Sequence, residues 1–409
     1  MRCRHCSATV SLPFVDLGSA PHSNGYLSAD ALRQPEKWYP LRVLVCTECW
    51  LVQTDDFVDR AEIFLPDYAY FSSYSTTWLR HAERYVEAMT TRFELGTRSH
   101  VVEAASNDGY LLQYFRARGI PCLGIEPTAS TAHAARAKGI EVVEEFFGVD
   151  LARRLVAEGR SADVGVANNV LAHVPDINDF VSGFTHLLKP DGIATFEFPH
   201  LLKLVEQNQF DTIYHEHFSY LSLTSVCRIF SRNGLSVFDV EQLPTHGGSL
   251  RVFAQRRDTG ARVVGEAVAR LLDIEDAAGM ATPGFYTSFQ ENADRVKDDF
   301  LDFLIDAKRG GRRVAAYGAA AKGNTLMNYA GIRSDLIRFV VDRNPAKQGK
   351  FMPGSRIPIV DETRLRIEQP DFVVILPWNL RDEVMEQLYY LKAWGGAFVT
   401  AVSHLEVLA

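Results

Sequence analysis

The strongest constraint on the fold is an alternation of short apolar runs with helical periodicity, which begins near His100 and again near Arg313. The apolar runs of the first round lie at 100–105, 122–125, 163–167 and 193–198, with a turn predicted at 187–192. Those of the second round lie at 313–316, 339–341, 371–376 and 397–402, after a helical stretch over 285–308. Since parallel strands need long crossovers that are usually helical, each round predicts a mainly parallel, doubly wound α/β sheet with helices on both faces.

The length fits more than one domain. At about 150 residues a domain, 409 residues correspond to two or three domains, and we place them at 1–75, 76–255 and 256–409. The hydrophobic share of 47% and the charged share of 23% exclude extended disorder, and the net charge of −8 argues against a surface for nucleic acid or anionic lipid. No apolar run approaches the ~20 residues of a membrane helix, and the N-terminus lacks a secretory signal. We therefore expect a soluble, cytoplasmic protein that is a monomer or a weak oligomer.

Four of the six cysteines form two Cys-x-x-Cys pairs near the N-terminus, Cys3 with Cys6 and Cys46 with Cys49. Each pair can present two thiolates on one tight turn, and two such turns complete a tetrahedral site for zinc. Four thiolates leave no open coordination position, so this zinc would be structural. The alternatives are two redox dithiols or two disulfides, which a cytoplasmic location disfavours. We therefore expect a small zinc-binding N-terminal lobe.

A segment rich in aromatic and hydroxyl side chains follows the cysteines, over residues 68–78. Its hydroxyls suit a polar organic ligand such as a sugar, and Tyr68, Tyr70 and Ser72 are the candidates. The alternative is a segment that only covers a core.

The turn after the first predicted strand carries a candidate cofactor site. Glu103, Ser106 and Asn107 lie in this turn, and Glu126 ends the second strand, where a carboxylate can bind a ribose diol. The spacing also fits a dinucleotide. The turn lacks the G-x-G-x-x-G pattern that lets the backbone approach a pyrophosphate, so S-adenosylmethionine fits better than NAD.

The most reactive stretch of the sequence runs from Tyr214 to His217. In an extended segment, His215 and His217 would point to one side and Glu216 to the other. A metal site and a structural histidine pair are the alternatives to acid–base catalysis. We favour acid–base catalysis, because a histidine with an ordinary pKa of about 6.5 moves protons at neutral pH. His173 directly follows a strand of the sheet and could reach the same site.

The second α/β unit offers a candidate phosphate site in the turn after its first strand. Lys322 lies there at the start of a helix, where backbone N–H groups and an ammonium attract phosphate. The alternative is an ordinary turn with a solvent-facing lysine. Further candidates for substrate contacts are Ser249, Arg251, Asn324, Asp342 and Lys347.

These motifs together resemble the sugar C-methyltransferases, class I methyltransferases with an N-terminal zinc-binding lobe. The resemblance covers essentially the whole chain. Besides the four cysteines, it rests on 103–109, 126–127, 145–148, 168–174, 196–200, 214–218, 246–251 and 318–325. Ala104 and Ala105 depart from the pattern, since many methyltransferases carry a glycine there. The members that the chain resembles most act on dTDP-linked 3-amino-4-ketosugars in deoxysugar and antibiotic biosynthesis, as for tetronitrose.

The resemblance implies an S-adenosylmethionine-dependent enzyme that methylates C3 of a dTDP-linked 4-keto-deoxysugar through an enolate. It implies a zinc-binding lobe, a Rossmann-like class I methyltransferase domain and a second Rossmann-like domain at the C-terminus for the nucleotide-sugar. Asn107 would lie by the methionine end of the cofactor, Glu126 on the ribose and Phe146 near the adenine. Asn169 would line the same pocket, and Phe146 could instead belong to the core.

The resemblance also implies roles in the chemistry. His217 would take the C3 proton, and Tyr214 and Glu216 would orient or polarise the reacting atoms. The hydroxyl of Tyr68 or Tyr214, or His173, could donate a hydrogen bond to the enolate oxygen. Two other functions compete, an NAD-dependent nucleotide-sugar oxidoreductase and a zinc-lobed RNA methyltransferase. The missing glycine pattern counts against the first, and the acidic balance counts against the second.

Overall fold

The N-terminal part of the chain forms a small antiparallel sheet. The computed structural model describes residues 1–55 and 71–408. The sheet has the order β1-β2-β3-β9, with β1 at Leu12–Ala20, β2 at Tyr39–Val45, β3 at Val52–Thr54 and β9 at Ser219–Tyr220. Since β9 comes from the middle of the chain, a later segment completes the N-terminal lobe.

The largest sheet has seven strands in the order β10-β11-β8-β7-β4-β5-β6. Its strands are β4 (Val101–Ala104), β5 (Cys122–Ile125), β6 (Glu141–Val143), β7 (Ala162–Asn168), β8 (Leu188–Pro199), β10 (Leu235–Leu243) and β11 (Ser249–Arg256). β11 runs antiparallel to β8 and β10, and the other pairs are parallel. All carboxyl ends except that of β11 therefore meet at one edge.

Helices cover both faces of the seven-stranded sheet. They are α1 (Thr76–Arg92), α2 (Leu112–Ala117), α3 (Ala129–Ala137), α4 (Val149–Ala157), α5 (Ile177–Leu187), α6 (Leu201–Glu206), α7 (Leu223–Arg232) and α8 (Glu266–Ala277). Neighbouring strand residues point to opposite faces, so Val101 packs with α1, α2 and α3 while Val102 packs with α4, α5 and α7. The predicted doubly wound arrangement is confirmed.

Most of the predicted strands of this sheet are found within a residue or two. The run 122–125 is a strand over those residues, and 163–167 is one residue longer at each end. The separate turn predicted at 187–192 is wrong, because β8 runs through it. The pairing register of the two strands is irregular at this point. Ala162 of β7 pairs with Leu188 of β8, but Val164, two residues later, pairs with Ile193, so β8 carries extra residues here.

The C-terminal part forms a six-stranded sheet in the order β14-β13-β12-β15-β16-β17, parallel except for β17. Its strands are β12 (Val314–Tyr317), β13 (Val340–Val341), β14 (Ile359–Val360), β15 (Phe372–Ile375), β16 (Ala397–Thr400) and β17 (Glu406–Leu408). Its helices are α9 (Gly284–Thr287), α10 (Phe289–Arg309), α11 (Ala321–Tyr329), α12 (Thr363–Glu368) and α13 (Arg381–Gln387). The predicted helix over 285–308 is thus two helices, α9 and α10.

The three sheets share their hydrophobic cores. Phe14 of β1 stacks on Phe289 of α10 with ring centroids 4.4 Å apart, and Val43 of β2 belongs to the same cluster. The N-terminal sheet therefore packs on the C-terminal unit, whereas Cys46 packs with the core of the seven-stranded sheet around Phe198. Among the residues that the structure describes, no helix combines the length and apolar character needed to cross a membrane.

Candidate active site

The four N-terminal cysteines come together in the structure. The Sγ atoms of Cys3 and Cys49 lie 3.5 Å apart, as do those of Cys6 and Cys46, and all four lie within 4.8 Å of one another. A tetrahedral zinc site with Zn–S bonds of about 2.3 Å has S–S edges of about 3.8 Å, so the cluster fits zinc. The amide of Gln53, which sequence reasoning missed, donates to Cys3 Sγ at 3.3 Å and supports the thiolate. Zinc bound here would join the two Cys-x-x-Cys turns.

The turn after β4 has a left-handed backbone at two residues that are not glycine. Ala105 has a φ of +56° and Asn107 has a φ of +49°. A glycine would adopt this left-handed conformation at a lower energetic cost than Ala105, because glycine has no Cβ atom. This explains why many methyltransferases carry a glycine at this turn. The turn is held because the Asn107 N–H donates to Glu126 Oε2 at 3.0 Å.

The carboxylate of Glu126 is fixed at the end of β5. It accepts hydrogen bonds from the N–H groups of Asn107 and Thr128 and from the Thr128 hydroxyl. Each carboxylate oxygen has two lone pairs, and these three bonds fill both sites of Oε1 and one of Oε2, so Oε2 can accept one further hydrogen bond, such as one from a ribose hydroxyl. At the end of β4, burial raises the pKa of Glu103 well above its ordinary value, and a hydrogen bond from Tyr110 opposes this shift. A cationic ligand group beside Glu103 would stabilise its charged form.

Two buried polar atoms at the end of β7 have no hydrogen-bond partner among the described residues. They are Oδ1 of Asn168 and Nδ2 of Asn169. Asn169 has a φ of +53°, and its N–H donates to the Glu197 carbonyl at 2.6 Å. Because buried polar groups are normally hydrogen-bonded, these two atoms indicate a polar ligand at this strand end.

The two neighbouring phenylalanines of the predicted adenine site have different surroundings. Phe147 packs edge-to-face on Phe180 and Phe184 in the core. Phe146 is 46% exposed. Phe146 is therefore the ring that is accessible to a nucleobase. Ser106 is fully buried, and a Cβ on Gly124 would lie 2.4 Å from its Oγ, so Ser106 packs behind the turn.

A short helical turn, Ser72–Tyr74, lies against the turn that follows β4 and carries Asn107, called the cofactor turn here. The Ser72 N–H donates to Asn107 Oδ1 at 3.0 Å, and Lys138 Nζ donates to Ser73 Oγ at 2.7 Å. Ser72, which the sequence predicts at the sugar, is thus placed against the cofactor turn. Tyr68 and Tyr70, also predicted to contact the substrate, lie outside the described residues.

The run from Tyr214 to His217 is a turn, closed by a hydrogen bond from the His217 N–H to the Tyr214 carbonyl at 2.9 Å. The prediction that His215 and His217 share one side of an extended segment is therefore wrong. His215 points to the N-terminal lobe, where its Nε2 lies 3.1 Å from the Pro40 carbonyl. No metal cluster that includes these histidines occurs among residues 1–55 and 71–408.

His217 is held in its neutral form. Its Nδ1 lies 2.8 Å from the Thr212 carbonyl oxygen, which only accepts, so Nδ1 carries the proton and Nε2 keeps the lone pair. Tyr214 covers the ring with a centroid distance of 4.0 Å. Burial lowers the pKa of His217 well below its usual value, and the charges of His173, Lys322 and His246 act in the same direction. Its Nε2 is therefore unprotonated at neutral pH.

His173 and Glu216 flank this ring differently. The His173 ring meets His217 edge-to-face at 4.5 Å, and burial lowers the pKa of His173 to about 4. The Glu216 side chain is buried and accepts a hydrogen bond from Asn24 Nδ2 at 2.7 Å. His173 is thus brought next to His217, whereas Glu216 fastens the turn over 214–217 to the N-terminal lobe.

Lys322 of the C-terminal unit faces the same region. It lies at the start of α11, as predicted, and its Nζ donates to Asn379 Oδ1 at 3.1 Å over the face of Trp378. It is not a solvent-facing lysine, because burial lowers its pKa, while Asp211 opposes this shift. The phosphate contact predicted for Lys322 stays a prediction.

The other predicted residues of the C-terminal unit organise its first loop. Asp342 Oδ2 accepts from the Ala319 N–H at 2.8 Å, and Lys347 Nζ donates to the Ala319 carbonyl at 2.7 Å. Asn324 is buried, and its Nδ2 donates to the Ser23 carbonyl at 2.6 Å. Oδ1 of Asn324 has no partner among the described residues. Their contact with substrate stays a prediction.

Ser249 and Arg251 lie on β11, between β10 and β8. Ser249 Oγ donates to the Thr245 carbonyl at 2.9 Å. Arg251 pairs with Glu197 at 3.2 Å and with Glu241 at 2.9 Å. Burial alone would raise the pKa of Glu197, but its hydrogen bond with His81 and the charge of Arg251 bring it below its usual value. The substrate contact predicted for Arg251 stays a prediction, since its guanidinium is engaged within the sheet.

Three residues near the site were missed by sequence reasoning: Asp211, His246 and Trp378. Trp378 Nε1 donates to Asp211 Oδ2 at 2.7 Å, and the His246 ring lies 5.1 Å from Trp78. Trp378 follows the carboxyl end of β15, which is where ligand-binding residues of such sheets lie, so its position was a usable signal. Asp211 gave none, because nothing in its sequence context predicts burial.

The sheet order, the antiparallel β11, and the acidic residues at the ends of β4 and β5 define a class I methyltransferase. Family models match three consecutive parts of the chain: a zinc binding domain over 3–64, a methyltransferase domain over 78–240 and a C-methyltransferase C-terminal domain over 244–403. The C-methyltransferase NovU of Streptomyces niveus is 33% identical over 407 residues, covering 100% of this chain and 96% of that protein. The chain belongs to this family of S-adenosylmethionine-dependent C-methyltransferases, whose N-terminal lobe binds zinc.

Solved structures resemble part of the chain. Magnesium protoporphyrin IX methyltransferase from Synechocystis PCC 6803 with bound S-adenosylhomocysteine is 17% identical, with a TM-score of 0.35 over 44% of this chain and 83% of that one. An S-adenosylmethionine-dependent methyltransferase from Clostridium acetobutylicum is 10% identical, with a TM-score of 0.36 over 45% of this chain and 92% of that one.

Proposed function

We propose that this enzyme transfers a methyl group to C3 of a dTDP-linked 4-keto-deoxysugar, with a 3-amino sugar as the first substrate to test. The product would belong to deoxysugar biosynthesis for an antibiotic. The proposal extends the family membership by a substrate and a mechanism.

The observation that carries the proposal is the state of His217. An amine, hydroxyl or thiol needs little help to accept a methyl group, because it has its own lone pair. A carbon must first lose a proton, and a ketone on the next carbon makes that loss possible. A buried neutral imidazole with its Nε2 lone pair available suits this task.

The proposed reaction begins when His217 Nε2 takes the C3 proton. The C–H electron pair forms the double bond between C3 and C4, and the carbonyl π pair moves to the C4 oxygen. S-Adenosylmethionine supplies the methyl group to C3 from its sulfonium, which leaves as a neutral thioether. Tyr214 packs against the imidazole with the two ring planes tilted by 33° and so restrains its orientation, and His173 meets the imidazole edge-to-face.

The cofactor and the nucleotide would bind at different strand edges. Asn107, Glu126, Phe146 and Asn169 lie at the carboxyl ends of the seven-stranded sheet and are the proposed cofactor residues. The nucleotide diphosphate would bind at the C-terminal unit, near the loop that Asp342 and Lys347 hold. A cavity of about 20 Å³ borders His217 and has room for one water.

Proton exchange at C3 tests this function. The protein is incubated in D2O with dTDP-4-ketosugars and S-adenosylhomocysteine, and NMR follows deuterium at C3; S-adenosylmethionine is then added and the methylated carbon is identified. We expect exchange at C3 and a new C3–methyl bond. Methylation of an oxygen or nitrogen, or no turnover of any 4-ketosugar while S-adenosylmethionine binds, would overturn the proposal. Stabilisation by NAD but not by S-adenosylmethionine would favour the oxidoreductase instead.

A further inference from the structure

The ammonium of Lys322 has spare hydrogen-bonding capacity. Of its three N–H donors, one is used within the described part of the chain, in the 3.1 Å bond to Asn379 Oδ1. Nζ lies 4.4 Å above the ring centroid of Trp378, so an aromatic face forms the floor of its site. Two donors are therefore left for a ligand.

The Trp378 ring under Lys322 is hydrogen-bonded to the segment that orients His217. Trp378 Nε1 donates to Asp211 Oδ2 at 2.7 Å, and Asp211 immediately precedes Thr212, whose carbonyl fixes the Nδ1 proton of His217. One turn further along α11, Thr325 Oγ1 donates to the Ile213 carbonyl at 2.8 Å. The helix that carries Lys322 thus packs directly on the segment that leads to His217.

The other side of Trp378 faces the methyltransferase sheet. A Cβ on Gly247 would lie 2.4 Å from the Trp378 ring, so the two residues are in close contact, and His246 precedes Gly247. After burial, the charge of Lys322 is the next cause that lowers the pKa of His246, to about 4, and it also lowers the pKa of His217. Lys322 and the residue after His246 thus contact the same tryptophan ring, and the charge of Lys322 acts on both imidazoles.

We propose that the Lys322 ammonium stabilises the oxyanion on C4 of the sugar when His217 removes the C3 proton. This inference rests on the proposed function. In the balanced step, the proton goes to His217 Nε2, the C–H pair forms the C3–C4 double bond, and negative charge collects on the C4 oxygen beside Lys322. Donors fixed in a site that excludes water are worth far more than donors in water and need no reorganisation as the charge forms.

The neighbours of Lys322 favour this role over diphosphate binding. The buried Asp211 carboxylate lies on the same tryptophan as the ammonium and would repel a diphosphate with two negative charges. A single oxygen that gains charge only during the reaction suffers less from this repulsion. Lys322 is therefore expected to act on the rate rather than on substrate affinity.

The test compares Lys322→Met and Lys322→Gln with Lys392→Ala, an exposed lysine of the same unit. We expect both Lys322 variants to lose about 10²–10³-fold in kcat and in C3 deuterium exchange with S-adenosylhomocysteine bound. KM for the nucleotide-sugar should change little, and the control should match the wild type. Binding of S-adenosylhomocysteine shows whether each variant is folded. If Lys322→Met does not fold, Lys322→Gln, whose side chain fills similar space without a charge, provides the result.

A pH profile adds a readout that loss of structure would not produce. Among the described residues, the charged and titratable groups around His217 include His173, His246, Lys322 and Asp211, together with the phenols of Tyr214 and Tyr220. Removal of the Lys322 charge raises the pKa of His217, so the acid limb of kcat/KM should move to higher pH in Lys322→Met. If the Lys322 variants show a raised KM and an unchanged kcat, Lys322 binds the diphosphate and the inference is overturned. The inference is also overturned if the variants exchange deuterium at C3 as fast as the wild type. If the wild type itself neither exchanges nor methylates a 4-ketosugar, the proposed function fails instead.

Discussion

Replacement of His217 by asparagine separates its role as a base from its structural role. The amide of the introduced asparagine would still donate to the Thr212 carbonyl, because its Nδ2 takes the place of the imidazole Nδ1. What is lost is the basic Nε2 atom and the stacking on Tyr214. General base catalysis contributes typically ~10²–10⁴-fold, so kcat should fall by about that factor. The lost stacking should cost about 1 kcal/mol of stability, which leaves the protein folded.

The assay measures steady-state methylation and C3 deuterium exchange together. His215→Asn is the matched control, since His215 lies in the same turn but contacts the Pro40 carbonyl, and it should keep the wild-type kcat. Because burial holds the pKa of His217 below its usual value, the wild type should stay active below about pH 6.5 and lose activity only when His217 becomes protonated. Near-normal turnover of His217→Asn, with loss in His173→Asn, would refute the assignment of the base.

Three further perturbations follow from the structure. One zinc per chain should be found by elemental analysis, and Cys46→Ser should lose both zinc and soluble folded protein; a zinc-free protein with full activity would contradict this. Glu126→Ala should weaken S-adenosylmethionine binding by about tenfold or more in calorimetry, and unchanged affinity would place the ribose elsewhere. Burial raises the pKa of Asp211 from 3.8 to about 6. The folded state therefore favours the protonated carboxyl, and the stability that its protonation contributes is lost as pH rises through 6. Asp211→Asn should therefore be more stable than the wild type at pH 7, on the order of 1–3 kcal/mol, and equal to it below about pH 4; lower stability at pH 7 in urea unfolding would refute this.

The parts of the fold that could be predicted are those set by local pattern. Strand–helix alternation located both parallel sheets, because buried strands and amphipathic helices leave periodic traces in the sequence. The cysteine spacing likewise predicted a cluster that the structure assembles. The direction of His215 could not be predicted, since it depends on a turn that is closed by a backbone hydrogen bond.

Long-range packing was also outside the reach of the sequence. The local sequence around Lys322 predicts a phosphate ligand, and only the packing of α11 on residues 210–213 brings its helix to the segment that precedes His217. The same holds for β9, which is two residues long and carries no periodic signal. Such features depend on contacts between residues that are far apart along the chain.

The position of β9 limits how this protein can be recombined. Val52 and Gln53, just after Cys49, pair with Tyr220 and Ser219, just after His217. An N-terminal lobe transplanted from a relative would therefore have to match a strand that belongs to the recipient's catalytic segment. Chimeras joined near residue 75 should fail unless residues 210–220 travel with the lobe. Substrate range in such an enzyme is best altered by point changes made within one chain.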